Sequence, residues 1–442
     1  MQNFWNDLLF FCRFKGAFHS RFAKRLDIAN KVEYNENREL CARARKGEAM
    51  AINWNKIRAV LKEAVLNIDP ILFACATLLS IISIITVWGA VDNFGMSKLR
   101  MQVFIFVLGI FVTVAVAFFD FRVIVDKLWL YMLIGSVALL ILTLVLGSSG
   151  ENMETANKSW LKIPGTGLMI QPSEFVKFTF ICTFSRHLFA VRKEINKPKN
   201  VLLLAGHALL VVGPILASGD LGVALVYLAM IALMLFCAGL HPLYFAGVAV
   251  VVILLSPFLW DMLATYQQQR IIVGFNPDAY PDSKYSWQPL LSKEAIAAGG
   301  LIGKGVLGGE HYEILAASHT DFIFATICEK FGFLGGFLVV VVFIIMIVRI
   351  FMLARFASHS DYGGLICVGI GSVLLVQILL NLGMCLGLLP VIGITLPFLS
   401  CGGSSMLAVF MMMGLLHNVY AHSNAVRDAH KVDTFDIDSS LL

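Results

Sequence analysis

The sequence predicts an all-α polytopic membrane protein, with roughly ten transmembrane helices and a large extracytoplasmic loop between helices 7 and 8. Three observations carry that expectation. The 442 residues are 58% hydrophobic and 14% charged, with a mean hydropathy of +0.80, which is more apolar surface than a soluble chain of this length hides. Several apolar runs reach the roughly 20 residues needed to cross about 30 Å of hydrocarbon. Those runs are continuous, without the alternation of a membrane barrel, so helices are expected.

Taken in order, residues 1–68 form a basic cytoplasmic extension containing Arg21, Lys24, Arg25, Arg43, Arg45 and Lys46. Its opening aromatic and leucine residues suit an amphipathic helix lying on an anionic membrane face. A start of synthesis at Met50 is the competing reading, and both stay open. A transmembrane domain is expected over 69–420. Asp69-Pro70 suits the start of the first span, about 70–90. The second is expected at about 101–119. Asp120, Arg122, Asp126 and Lys127 suggest a tight turn before the third, about 128–147. The fourth begins near Pro172 and ends at the basic run Arg186 to Lys199. The fifth, sixth and seventh are expected at about 201–217, 221–239 and 243–260. The polar segment 261–320 exceeds ordinary loop lengths and is therefore read as functional or disordered. Spans at about 322–350, 363–381 and 402–420 follow, then a cytoplasmic polar tail, 421–442.

Lys and Arg in the short flanks orient the chain. The N-terminal segment, the 186–199 run and the loop after Arg349 share one side, so both termini are expected in the cytoplasm and 261–320 outside. The net charge of +5 is modest and gives no reason to expect a nucleic-acid partner. The nine cysteines show no metal-ligand spacing and read as small apolar residues.

Charged residues within spans are costly and need a partner or a task. Asp321, in Ser318-His319-Thr320-Asp321-Phe322, stands where the polar loop meets an apolar helix. A helix start stabilises a carboxylate there, either as a simple cap or as a reactive group. Glu174 and Lys177 share one face at the head of the fourth helix, as a self-neutralising pair or as a polar floor for a headgroup. Asp220 follows a helix break and suits an N-cap. Arg270 is either a snorkelling arginine or a two-pronged phosphate ligand. The glycines between Gly299 and Gly309 make a close-approach region whose spacing excludes a P-loop. Pro390 to Ser405 reads as a turn re-entering the membrane, buried in protein.

In order along the chain stand Gln171-Pro172-Ser173-Glu174-Phe175-Val176-Lys177, Gly219-Asp220-Leu221-Gly222, Tyr266-Gln267 with Arg270, and Gly303-Lys304-Gly305. His319-Thr320-Asp321-Phe322-Ile323-Phe324 and Leu396-Pro397 with Ser400 and Gly402-Gly403-Ser404 follow. Together, over about residues 69–420, they resemble the SEDS family of bacterial wall synthesis. Asn381 to Gly393 is similar to its elongation (RodA-like) branch, while Gly403-Ser404-Ser405 leans toward the division (FtsW-like) branch; the balance favours the former.

The resemblance implies an inverting glycosyltransferase that polymerises lipid II at the outer face of the bacterial cytoplasmic membrane. It implies Asp321 as general base, with Arg270, Lys177 and Thr320 as substrate contacts and Glu174 and Asp220 shaping the cavity. It also implies a class B penicillin-binding transpeptidase as partner. No cofactor or metal-ligand cluster is evident; pyrophosphate leaves room for a divalent cation, Mg or Mn. The chain departs from the family pattern at Ser159-Trp160, Ala316-Ala317 and Leu291-Ser292. A lipid-linked precursor flippase and an inactive scaffold are the rival classes. The ionisable groups gather at outer helix ends, which favours an enzyme working on one face over a transporter open to both.

Overall fold

The computed structural model describes residues 68–148, 158–162, 169–357 and 362–439; the basic extension, apart from Ile68, lies outside them. Each of the expected apolar segments contains a helix. The long ones are α1 (Pro70–Trp88), α3 (Met96–Phe118), α4 (Phe121–Leu146), α5 (Pro172–Val191), α6 (Pro198–Ala217), α7 (Leu221–Cys237), α8 (Pro242–Met262), α12 (Ile323–Ala357), α13 (Gly363–Cys385) and α14 (Gly403–Ser439). Among the described residues, α1, α3, α4, α6, α12, α13 and the Gly403–Ser423 part of α14 are long and apolar enough to cross a membrane; α7 and Pro242–Phe258 are shorter apolar helices.

One expectation is corrected, the turn at 120–127, and three details lay beyond the sequence reading. The segment 261–320 is built, not loose: it holds α9 (Thr265–Phe275), α10 (Trp287–Ala298) and the short α11 (His311–Ile314). Arg122, Asp126 and Lys127 lie inside α4, because the Asp120 side chain accepts from the Arg122 amide (3.0 Å) and starts the helix there. The tail continues α14 as helix to Ser439. Two dipeptides, β1 (Leu161–Lys162) and β2 (Met169–Ile170), pair antiparallel, and are the two named strands among the described residues. Another short helix, α2 (Val91–Phe94), joins α1 to α3. The cysteine reading holds for Cys75, Cys182, Cys328, Cys367 and Cys385, which are buried, but Cys237 is exposed.

Packing is sorted by position. α5 and α13 are buried around most of their circumference, whereas α8 presents Leu243, Val248, Ile253 and Leu254 outward, as a lipid-facing helix should. In an apolar solvent the hydrophobic effect does not hold helices together, so polar links matter. Ser83 donates to the Leu399 carbonyl and accepts from Gln102 Nε2 (2.7 Å); Thr113 donates to the Phe410 carbonyl (2.9 Å). At the start of α1, buried Asp69 caps the Ile71 and Leu72 amides and pairs with Arg349 at 2.8 Å.

α12 is broken at Gly332, whose φ of +68° and ψ of −167° interrupt the helix. A break frees backbone groups that lipid cannot satisfy. The loop after α10 supplies the missing partners: Lys304 N donates to Glu329 O (2.9 Å), Gly305 N to Lys330 O (2.9 Å), and Phe333 N and Leu334 N donate to Gly300 O and Leu301 O (2.8 and 3.1 Å). The approach is so close that a Cβ on Gly303 would lie 2.2 Å from the Lys330 carbonyl oxygen. Gly303 is there for contact with backbone.

Candidate functional site

Asp321 sits two residues before α12 begins at Ile323, half-buried. Its position is set through the main chain. Ala317, at φ +57°, opens a tight turn in which the Thr320 and Phe322 amides donate back to its carbonyl (3.0 and 3.1 Å). The next carbonyls are each gripped from another element. Cys401 N donates to His319 O (2.8 Å), Ser400 Oγ to Thr320 O (2.7 Å), and Asn381 Nδ2 to Asp321 O (2.8 Å). Asn381 Nδ2 also donates to Ile394 O (2.7 Å). Three successive residues are therefore tied to the end of α13 and the segment 394–401. Each such bond contributes about 1 kcal/mol, and more is lost when a buried partner is left unpaired.

The carboxylate itself stays open. A Cβ on Gly393, which has a φ of +74°, would lie 3.7 Å from Asp321 Oδ2, so no side chain crowds the acid from that direction. Burial pushes its pKa up to about 6, against the Thr320 hydroxyl and the Arg270 guanidinium, which favour the ionised form. Desolvation outweighs both. Arg270 is delivered by α9, which is pressed against the 386–402 segment where Gly274 meets Pro390.

A second group lies against the same segment. Asp220 caps α7 through the Val223 amide (3.1 Å) and accepts from Gln171 Nε2 (3.1 Å), while the Gln171 amide donates to Ser404 Oγ (3.3 Å). A Cβ on Gly222 would touch Ile392. Burial raises the Asp220 pKa, opposed first by the Val223 amide; Glu174 adds to the rise and Lys177 offsets it. Glu174 and Lys177 are 3% and 0% exposed and form a 2.5 Å ion pair. Lys177 thus has Glu174 as its counter-ion, the first of its two expected readings, and is fully buried. Glu174 Oε2 is buried with no hydrogen-bond partner.

The segment 386–402 is the common floor. Ile394, Leu396, Phe398, Leu399 and Ser400 are buried, and its turn closes through Leu396 N to Ser400 Oγ (2.7 Å) and Ser400 N to Leu396 O (3.0 Å). Of the departures from pattern, Ser159 is buried beside the same small cavity as Asp220 and Ser173, and Ala317 forms the positive-φ turn. Leu291 is core, and its neighbour Ser292 donates to Cys385 O (2.8 Å). Asn381, Ser400 and Gln171 were not singled out as site residues from sequence. Asn381, an amide inside an apolar run, was the available signal. Among the described residues, no three His, Cys, Asp or Glu side chains are grouped to hold a metal ion.

Fold and site define a polytopic helical membrane protein with a partly exposed carboxylate, Asp321, fixed where several helix ends meet. A profile of the cell cycle protein family that takes in FtsW, RodA and SpoVE matches residues 66–425, and the chain belongs to that family. It is 32% identical over 299 residues to a probable peptidoglycan glycosyltransferase FtsW of Trichlorobacter lovleyi, covering 66% of this chain and 75% of that one. It is 29% identical over 380 residues to the peptidoglycan glycosyltransferase MrdB of Escherichia coli K12, covering 84% and 95%. Among solved structures, a chain of a peptidoglycan synthase complex that coordinates polymerization and crosslinking superposes with a TM-score of 0.69 at 26% identity, over 80% of this chain and 98% of that one.

Proposed function

We propose that this protein is a peptidoglycan glycosyltransferase that polymerises lipid II at the outer face of the bacterial cytoplasmic membrane, with Asp321 as general base. The observation that carries the reading is the open, main-chain-clamped Asp321 with its pKa raised to about 6. A base is most useful when its pKa lies near the working pH, so that it is mostly ionised yet still basic. Asp321 takes the proton from the attacking sugar 4-hydroxyl as that oxygen bonds to the anomeric carbon. The carbon–oxygen bond to the lipid pyrophosphate breaks, and Arg270 meets the charge that develops there. Thr320 orients the carboxylate, while the buried Glu174–Lys177 pair and Asp220 shape the adjoining wall. Any Mg2+ or Mn2+ contribution arrives on the substrate's pyrophosphate.

Names of both kinds, FtsW and MrdB, occur among the relatives at similar identity. The elongation role therefore rests on the stretch Asn381 to Gly393. A class B penicillin-binding transpeptidase is the proposed partner, in keeping with the synthase complex that this chain resembles.

The test uses purified protein, lipid II and the cognate transpeptidase in liposomes, with glycan products resolved on a gel. Wild type should make strands and Asp321→Asn none, a loss of at least about 10²- to 10⁴-fold. Strands from the variant at the wild-type rate would remove Asp321 from the mechanism. No strands from either, with lipid II crossing the bilayer, would favour a flippase.

A further inference from the structure

Away from Asp321, α4, α5 and α6 enclose a second cavity of about 490 Å3, within the usual range of ligand sites. Leu133, Leu202 and Leu210 form its apolar wall. The opposite wall carries polar groups that a plain hydrocarbon chain leaves unsatisfied. His187 Nδ1 and His207 Nδ1 stand 3.1 Å apart and so share one proton, since a hydrogen bond takes one donor and one lone pair. His207, 6% exposed, turns Nε2 to Thr183 Oγ1 at 3.4 Å, which commits both of its nitrogens within the protein. Half-buried His187 has Nε2 left over. Arg186 spends Nε on Asp126 (3.0 Å) and lies 5.1 Å from the centre of the Trp129 ring, leaving the rest of its five-donor fork unspent.

The position suits a lipid. Arg186 and His187 lie roughly 20 Å along α5 from Glu174, at 1.5 Å per residue. They therefore occupy the half of the bundle remote from Asp321, just before Arg192 and Lys193. Leu202 and Leu210 are 75% and 51% exposed, so the cavity opens sideways, toward acyl chains. Gly206 adds no side chain to the wall, and a Cβ there would meet nothing within 4 Å. Polar groups facing hydrocarbon are costly. A phosphate at the mouth removes that cost, because its oxygens accept from guanidinium and imidazole N–H groups.

We propose that this cavity is a site for one anionic phospholipid of the leaflet opposite Asp321, with its phosphate on Arg186 and His187 and one acyl chain along Leu133, Leu202 and Leu210. The site is independent of the glycosyl-transfer reading, and its test needs no activity. The full chain, purified in mild detergent, is mixed with phosphatidylglycerol or phosphatidylcholine and weighed intact by native mass spectrometry. Wild type should retain one phosphatidylglycerol with at least a tenfold preference. His187→Ala and Arg186→Gln should lose the preference, and Gly206→Phe should lose the bound lipid. Leu210→Trp, which narrows the cavity from an exposed position, repeats the blocking test if Gly206→Phe fails to fold. Equal retention of the two lipids, or undiminished retention in folded blocking variants, would mean annular lipid only and overturn the site. Inorganic phosphate alone should leave the melting temperature unchanged; a rise equal to that with phosphatidylglycerol would overturn the acyl-chain half of the proposal.

Discussion

At the scale of single residues, the site depends on how Asp321 is charged and how it is held. With its pKa raised to about 6, Asp321 is mostly ionised only above that value, so if it is the general base, as proposed, polymerisation should climb through about pH 6 and level off by pH 7 to 8. The same shift has a stability sign. Between the ordinary carboxylate value and about pH 6 the folded state binds more protons than the unfolded chain, so stability falls as pH rises through that window. Asp321→Asn carries no such charge. It should melt above wild type at pH 8, with the gap closing toward pH 4, which differential scanning fluorimetry at the two pH values checks. Asn381→Ala removes the donor shared by Asp321 O and Ile394 O. Because a misplacement of about 1 Å costs around 100-fold in rate, kcat should fall about 10- to 100-fold with a smaller change in KM. Asp321 was legible in the sequence because a charge beside an apolar run stands out. Asn381 and Ser400 were harder to read: they act on the main chain of residues 60 and 80 positions away, and no local pattern encodes that pairing. For Lys177 the i, i+3 spacing from Glu174 indicated the pair but not its complete burial.

At the scale of elements, the broken helix α12 tests whether the glycines after α10 serve contact or freedom. Gly303 and Gly300 both have positive φ, +86° and +55°. Only Gly303 is in close backbone contact; a Cβ on Gly300 would meet nothing within 4 Å. Gly300→Ala should therefore cost only the left-handed penalty, about 1–2 kcal/mol. Gly303→Ala should cost clearly more, because neither the Lys330 carbonyl nor the Gly332 amide has room to retreat; thermal melting of the two variants decides. Helix existence was readable from hydropathy. Boundaries shifted where a side chain intervened, as Asp120 did for α4. The order within 261–320 was not readable, because α9 and α10 owe their place to contacts with α12 and the 386–402 segment, far along the chain.

At the scale of the whole molecule, the expected orientation puts Asp321 outside and the 186–199 run in the cytoplasm. Ile302→Cys and Lys193→Cys both place a thiol at an exposed position. In intact cells a membrane-impermeant maleimide should label the first, and should label the second only after permeabilisation; the reverse pattern would invert the topology. One further consequence follows from the break at Gly332. Lys330 donates to the Gly89, Val306 and Gly308 carbonyls (3.0, 3.0 and 3.1 Å), and Glu329 accepts from the Glu310, His311 and Tyr312 amides. The two turns of α12 that follow Asp321 are thereby riveted to the segment 303–312 and to the end of α1, while the remainder of the helix lies beyond the break. Because Gly89, Asn381 and the 394–401 segment hold the same stretch, a push on residues 303–312 would reach the carboxylate only by straining α1, α13 and that segment together.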